Sequence, residues 1–385
     1  MLIGLNEDHI MVQDTARKFA VDQLAPIAAD LDQGACKNAF LSNLKSMADL
    51  GFMGLNVSSD YGGAECGVIA FSLAITEVAR GCAASAVTMS VTNMVAELIQ
   101  AIGTEEQKRE HVTNICSGEY LAASFCLSES GAGSDPAGMK TKAIQHGDHW
   151  ILNGSKMWIS SAEYAGVFVV WAVTDPDRPK GKGITCFLVR ADAPGITIGK
   201  PERKMGQRGS STASVSFDDC RVPESAMLGR VNEGYRIATT ELAGGRIGIA
   251  SLALGLGGAA MDVARSYSLE RKQFGQAISR FQGIQWMLAD HYTELEAARL
   301  LVLNAAYQKE EGRPFAKEAS MAKLYASEAA NRACYSALQI MGGVGYTEEL
   351  PLERYARDVR VTSIYEGTSE IQRMIIAREL LREVA

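Results

Sequence analysis

Between about residues 122 and 230 the spacing of apolar residues shifts from three or four to two, and beyond about residue 234 it shifts back. A chain with this order of periods cannot be one helical bundle or one sandwich; it has to bury a sheet against helices. Before the switch, HIMVQDTARKFAVDQLAPIAADL and VIAFSLAITEVARGC read as amphipathic helices. Within it, HWILNGSKMWIS, GVFVVWAV, GITCFLVR, PGITIG and ASVSFDDCRVP read as short strands, with DPDRPKGKG and ADAPG as turns between them. After it come three long helical runs, ALGLGGAAMDVARSYSLERKQFG, FQGIQWMLADHYTELEAARLLVLNAAYQKEEG and FAKEASMAKLYASEAANRACYSALQIMGG. With 385 residues the chain is also longer than a single core usually organises. The expected fold is α+β: an N-terminal α-helical domain over 1–121, a middle, mostly antiparallel β domain over 122–232, and a C-terminal four-helix bundle over 233–385.

Composition narrows the partners. Apolar residues make up 47% and charged ones 22%, as in ordinary globular proteins. A net charge of -7 provides no basic field for a nucleic-acid backbone, so no nucleic-acid partner is expected. The eight cysteines form no CxxC pair and read as reduced, mostly structural thiols of a cytoplasmic protein. Glu7 and Asp8 stand where a secretory signal would be basic and then apolar. The uncharged stretch Ile247 to Met261 reads as too short and too rich in glycine to span a bilayer, so no membrane partner is expected.

Two stretches imitate nucleotide fingerprints. FCLSESGAGSDPAG (125–138) supplies Gly131 and Gly133, but Pro136 takes the third glycine's place and no βαβ unit follows. Gly255-x-Gly257-x-x-Ala260 lies inside a helical pattern, where close helix packing explains the small residues. His146 and His149 flank Gly147 and Asp148 and read as a solvated hairpin tip, leaving no metal site. Upstream, Thr104 with Gln107 fits a capping box.

One carboxylate stands out. In RVTSIYEGTSEIQRMIIARELL, Glu366 follows an apolar run and precedes Gly367, with Ser369 and Gln372 spaced as the capping box of a terminal helix. Desolvation among Tyr365 and its apolar neighbours would raise its pKa while the helix dipole opposes the rise, a tension suited to a general base.

FCLSESGAGSD, KMWIS and IYEGTSEIQR, in this order on this layout, resemble the acyl-CoA dehydrogenases over nearly the whole chain. The resemblance implies FAD held between the β domain and the C-terminal bundle, an acyl-CoA substrate, electron-transfer flavoprotein as electron acceptor and a homotetramer built as a dimer of dimers. Its metabolic settings are fatty-acid β-oxidation and branched-chain amino-acid catabolism. It implies that Glu366 removes the α-proton as the β-hydrogen leaves as hydride to the flavin, giving a trans-2-enoyl-CoA.

By the same resemblance Phe125, Cys126, Leu127 and Ser128 lie against the flavin ring, with Ser128 where many members have threonine. Gly133 and Ser134 line the junction of flavin and thioester, and Ser130 replaces a common proline. Trp158, Ile159 and Ser160 cover the ring's other face. Arg271, Gln273, Phe274, Phe281, Gln282, Gln339, Gly342 and Gly343 grip the FAD pyrophosphate and adenosine across a subunit interface. Thr368, Ser369 and Glu370 contact the flavin side, and Tyr365, Glu366 and Gly367 the substrate. Arg246 matches an arginine beside the substrate. Some members place their base one position before that arginine; Gly245 there leaves the role with Glu366. Many have an acid three positions before it, where this chain has Ala243. The GGRI spelling resembles the short- and branched-chain members. Met89, Asn93 and Met94 are candidates for the acyl-pocket wall, with core packing as the alternative for the methionines. Two rivals share the fold: a flavin monooxygenase, whose kind lacks this glutamate, and a non-catalytic nucleic-acid-binding relative, whose kind carries a basic C-terminal surface.

Overall fold

The computed structural model describes residues 4–382. Residues 4–120 form helices α1 (Glu7–Phe19), α2 (Ala28–Asp32), α3 (Lys37–Asp49), α4 (Gly67–Gly81), α5 (Ala83–Ile102), α6 (Glu105–Gln107) and α7 (Thr113–Cys116). Thr104 and Gln107 make the expected reciprocal cap, Gln107 N–H to Thr104 Oγ1 at 3.2 Å and Thr104 N–H to Gln107 Oε1 at 3.0 Å.

The middle of the chain is a sheet of β1 (Ala122–Cys126), β2 (Lys142–His146), β3 (His149–Ser160), β4 (Ala165–Val173), β5 (Ile184–Arg190), β6 (Ile196–Ile198), β7 (Thr212–Pro223) and β8 (Met227–Leu228). Its order is β6-β7-β3-β2-β4-β5-β8, with β1 alongside β4. Most pairs are antiparallel; β1–β4 and the single β2–β4 contact are parallel. Alternation along β4 explains why GVFVVWAV is apolar throughout. Val167, Val169 and Trp171 face the core shared with the helices, while Phe168, Val170 and Ala172 face a second core within the β domain. His146 and His149 do flank the β2–β3 turn.

The rest is helical: α8 (Gly234–Glu270), α9 (Gln282–Glu310), α10 (Ala316–Met341), α11 (Leu352–Arg360) and α12 (Ser369–Arg382). The glycines of the second imitation fingerprint let α8 approach its neighbours. A Cβ on Gly255 would strike the Thr76 carbonyl of α4, and one on Gly257 would stand 3.1 Å from Ala330 of α10.

Two expectations are corrected here. The stretch Ile247 to Met261 is not a short segment but part of the 37-residue α8, long and apolar enough to cross a membrane by length and composition, with most of its apolar window buried inside the protein. RKQFG does not continue that helix. Arg271 ends it, and a two-stranded ribbon follows, β9 (Lys272–Gln273) with β10 (Gln276–Ala277). Phe274 (φ 50°) and Gly275 (φ 81°) make its turn, both left-handed as a two-residue hairpin loop requires.

Candidate active site

The terminal helix α12 begins in a bend with two left-handed residues in succession, Glu366 (φ 51°) and Gly367 (φ 93°). The cap is Thr368 rather than Ser369: Thr368 Oγ1 accepts from Ile371 N–H at 3.4 Å, and its carbonyl accepts from Gln372 N–H at 2.9 Å. Ser369 has a buried hydroxyl without a partner. Gln372 instead turns back on the bend, donating to the carbonyls of Glu366 at 3.2 Å and Gly367 at 2.8 Å. A non-glycine residue in this conformation is held there by its surroundings, which makes the bend a place to look for function.

The bend delivers the Glu366 carboxylate against α8. Oε2 is buried with no hydrogen-bond partner. It lies so close to the Cα of Gly245 that any Cβ there would collide with it, and Met94 Sδ is 2.7 Å from the same point. Arg246, the next residue of α8, is buried with its Nε also unpartnered. From α10, the fully buried Lys323 donates to the Gly367 carbonyl at 2.7 Å. Burial pushes the Glu366 carboxyl up to about 7, against the opposing charges of Lys323 and then Arg246. Burial likewise lowers Lys323 to about 8 and Arg246 to about 10, with Glu366 acting in the other direction. A carboxylate poised near neutrality, with a lone pair free, can take a proton from a substrate at physiological pH.

The second wall is built by β1, the loop after it and the end of β3. Met157 N–H donates to the Ser128 carbonyl at 2.9 Å, and Ser124 Oγ to the Ser160 carbonyl at 2.7 Å. A buried ion pair locks the two segments together. Lys156 Nζ reaches Glu129 Oε1 at 2.8 Å and the Leu127 carbonyl at 3.2 Å, while the Glu129 carboxylate also accepts from Lys140 N–H at 2.6 Å and Thr141 N–H at 3.0 Å. Phe125 packs on Trp171 with ring centroids 4.2 Å apart. Trp158, left-handed at φ 66°, keeps 56% of its surface exposed. Gly131 and Gly133 have no protein atom within 4 Å of where a Cβ would stand, and Ser134 beside them is exposed.

Several expected residues sit differently. Cys126 and Ile159 bury their side chains in the β domain's own core, and Leu127 buries its side chain in the helical core, so only their backbones can face a ligand on this wall. Ala243 is buried on α8 and has no polar group; the acid on that stretch is Glu241, whose carboxyl burial and Glu97 push up to about 8. Asn93 is no pocket wall. Its amide donates to the carbonyls of Phe52 at 2.8 Å and Met89 at 2.9 Å and accepts from Leu55 N–H at 2.9 Å, which ties a loop to α5. Met89 is fully buried core, whereas Met94 adjoins Gly245 and Glu366. Thr368 is half-buried and Glu370 exposed.

Arg271, Gln273, Phe274, Gln282, Gln339, Gly342 and Gly343 are all exposed. Phe274 is 93% so, its ring edge-on to the half-buried Phe281 at 6.0 Å.

Sequence reasoning missed Lys323, Lys156, Glu129, Glu241 and Gln207. Lys323 had a signal: it shares a helix face with Ala319, Ala326 and Ala330, all fully buried, where a solvated lysine does not belong. Lys156 had one too, since alternation along β3 puts it on the face of Leu152 and Trp150.

A flat cofactor fits this wall, with open space over Gly131 and Gly133 and an exposed indole at Trp158, and the Glu366 bend adds a carboxylate with a free lone pair. Such an arrangement suits an enzyme that removes a proton beside a bound ring system, as in one class of flavin-dependent oxidoreductase. Family profiles for the acyl-CoA dehydrogenase N-terminal, middle and C-terminal domains match residues 6–119, 124–220 and 232–381. The chain belongs to the acyl-CoA dehydrogenase family, whose cofactor is FAD. It is 46% identical over 382 residues to the short-chain specific acyl-CoA dehydrogenase of rat mitochondria, covering 99% of this chain and 92% of that one. Butyryl-CoA dehydrogenase from Megasphaera elsdenii superposes with a TM-score of 0.95 at 38% identity, covering 99% of this chain and 100% of that one. A chain from structural work on the electron-transferring flavoprotein of Acidaminococcus fermentans superposes at 0.96 with 40% identity, covering 99% and 100%.

Proposed function

We propose that this FAD-dependent acyl-CoA dehydrogenase oxidises short-chain acyl-CoA thioesters, straight or singly branched, to trans-2-enoyl-CoA, with Glu366 as the base that takes the α-proton. The observation that carries the reading is the buried, unpartnered Oε2 of Glu366 between Gly245 and the cations of Arg246 and Lys323. FAD, when bound, supplies the acceptor for the β-hydride. Phe125, Ser128, Trp158, Ser160 and the loop over Gly131, Gly133 and Ser134 would hold its ring, and Glu366, Gly367, Tyr365 and Arg246 the thioester side.

Glu366 starts as the carboxylate and ends holding the proton at Oε2. Lys323 and Arg246 favour its charged form while burial favours the neutral one, so neither state lies deep in energy. Electrons leave to electron-transfer flavoprotein, a reading supported by the similarity to the Acidaminococcus chain. Short chains are supported by the rat and Megasphaera relatives. The exposed Arg271, Gln273, Phe274, Gln339, Gly342 and Gly343 support a homotetramer in which a second subunit covers the FAD phosphates and adenosine. Eight free thiols support a reducing compartment, the cytoplasm.

The test is anaerobic titration of the yellow holoenzyme with butanoyl-, isobutanoyl-, 2-methylbutanoyl-, octanoyl- and aryl-acyl-CoA, following loss of flavin absorbance. Bleaching by the first three at low concentration is expected. Bleaching by octanoyl-CoA alone sinks the short-chain reading, and bleaching by none sinks the reaction.

A further inference from the structure

Of the nine described non-glycine residues with positive φ, four gather at one corner of the molecule: Trp158 (66°), Ser161 (65°), Gln207 (49°) and Glu366 (51°). Trp158 and Ser161 end the segment that walls the cofactor side, and Glu366 is the base. Gln207 belongs to neither. It lies in the loop between β6 and β7, is only 4% exposed, and uses its backbone N–H and side-chain amide on the C-terminal helices. Its backbone N–H donates to Asp358 Oδ1, and its side-chain amide donates to the Asp358 carbonyl at 3.1 Å and to the hydroxyl of Tyr365 at 3.1 Å. Tyr365 is the residue before the base.

The same loop is fastened at both ends. On the bundle side, Gly206 packs so tightly on α11 that a Cβ would stand 2.6 Å from Asp358 N. Arg357 donates to the Met205 carbonyl at 3.1 Å while its guanidinium pairs with Asp32 at 2.7 Å. On the β side, Ser210 N–H returns to the Gln207 carbonyl at 3.1 Å, and the Ser211 carbonyl accepts from Ser161 N–H at 2.7 Å. One loop, 205–211, therefore touches the residue next to the base and the strand end carrying the exposed indole.

We propose that Gln207 is a positioning residue that sets the register between the proton-accepting carboxylate of Glu366 and the wall built by Trp158 to Ser161. It acts through Tyr365 and touches no reacting atom. The reaction needs this because two bonds on adjacent carbons break toward opposite partners, so a small drift of the base relative to that wall spoils one transfer without spoiling the other. The positive φ at Gln207 and at Glu366 is the local distortion that such a bracket would maintain.

The proposal rests on the proposed reaction, and the experiment separates the two. Holoenzyme and its Gln207→Ala, Tyr365→Phe and double variants are compared for FAD content, for rapid anaerobic flavin reduction by butanoyl-CoA, and for exchange of the substrate α-hydrogen in deuterium oxide. Wild-type bleaching checks the reaction itself; without it the reading fails and the bracket's catalytic role with it. Given wild-type bleaching, Gln207→Ala and Tyr365→Phe are each expected to slow flavin reduction about tenfold, because the two groups lose alignment. FAD content should stay full. Alpha exchange should fall less than reduction, a split that a merely loosened fold does not produce. The double variant should be within about twofold of the slower single one, since both changes remove one interaction. Should Gln207→Ala fail to fold, Tyr365→Phe removes the same bond without altering the loop, and it alone must show the loss. The urea unfolding cycle of the FAD-free proteins provides a readout apart from turnover: non-additive shifts are expected. Wild-type reduction rates in Tyr365→Phe, or losses that multiply in the double variant, overturn the proposal.

Discussion

The Glu366 carboxylate occupies the space that a side chain on Gly245 would claim, with Oε2 inside contact distance of a Cβ built there. The two positions lie 121 residues apart in sequence and converge on a single point beside Arg246. Gly245→Ala should push the carboxylate aside while leaving FAD bound, lowering flavin reduction by about tenfold or more. The convergence also works in reverse. Glu366→Gly should abolish reduction, and adding Gly245→Glu should restore part of it, on the order of a hundredth of the wild-type rate. Stopped-flow bleaching by butanoyl-CoA distinguishes these; a double variant as dead as Glu366→Gly means that the two positions do not reach the same atom.

The charge around the base fixes a pH dependence. The active form of Glu366 is the carboxylate, and burial pushes its carboxyl up to about 7, so kcat/KM should rise with pH through that value and then level off. Lys323 is the larger of the two opposing cations, with Arg246 next; Glu241, on the preceding turns of α8, carries a carboxyl of its own pushed up to about 8. Lys323→Met removes a cation that favours the carboxylate and should move the rising limb to higher pH by roughly one unit. An unmoved limb in that variant excludes Lys323 as its electrostatic partner.

The same raised carboxyl has a stability consequence of fixed sign. A glutamate that is easier to protonate in the folded state than in the unfolded chain binds extra protons in the fold between about pH 4.5 and 7. Folding stability from this group is therefore full below that window and lost as pH rises through it. Glu366→Gln, which cannot ionise, should melt higher than wild type at pH 8, by roughly 2 °C for a chain of this size, and no higher at pH 5. Because the residue is partly open to solvent, the gain is kept small. Calorimetry of the FAD-free proteins at the two pH values measures it.

Lys156 and Glu129 tie the loop after β1 to β3 from inside the protein. Removing one member leaves the other charge buried and unpaired, at about 3–5 kcal/mol. Lys156→Met should therefore lower the urea midpoint and release FAD, since the wall that holds the ring loses its anchor. Replacing both, Lys156→Met with Glu129→Gln, should recover part of the stability. Equal midpoints for wild type and Lys156→Met would show that the pair is not holding the wall.

The helix, sheet, helix order was legible because a change of apolar period survives any error in element ends, and β3 was legible as a strand, though its alternation breaks between Lys156 and Ile159. Glu366 was legible because an acid between an apolar run and Gly367 breaks the local pattern. What stayed hidden was placed by tertiary contact. Glu241 looks like an ordinary surface charge until the helices around it close, Lys323 and Lys156 show only that they sit on apolar faces and not what they pair with, and Gln207 reaches Tyr365 across 158 residues. Side-chain direction was also lost within the motif: FCLS reads as one ligand-facing run, yet alternation sends Cys126 and Leu127 into opposite cores. The cap at Thr368 rather than Ser369 was a one-residue choice that sequence spacing cannot make.

The central claim is that Glu366 is the base, and Glu366→Gln tests it most directly. The carboxamide keeps the shape but cannot accept the α-proton. Mixed anaerobically with butanoyl-CoA, the yellow variant should keep its full FAD content and bind the thioester, with flavin reduction slowed by roughly a thousandfold or more. Bleaching of that variant at a rate near that of the wild type contradicts the assignment, and with it the mechanism built on the Glu366 bend.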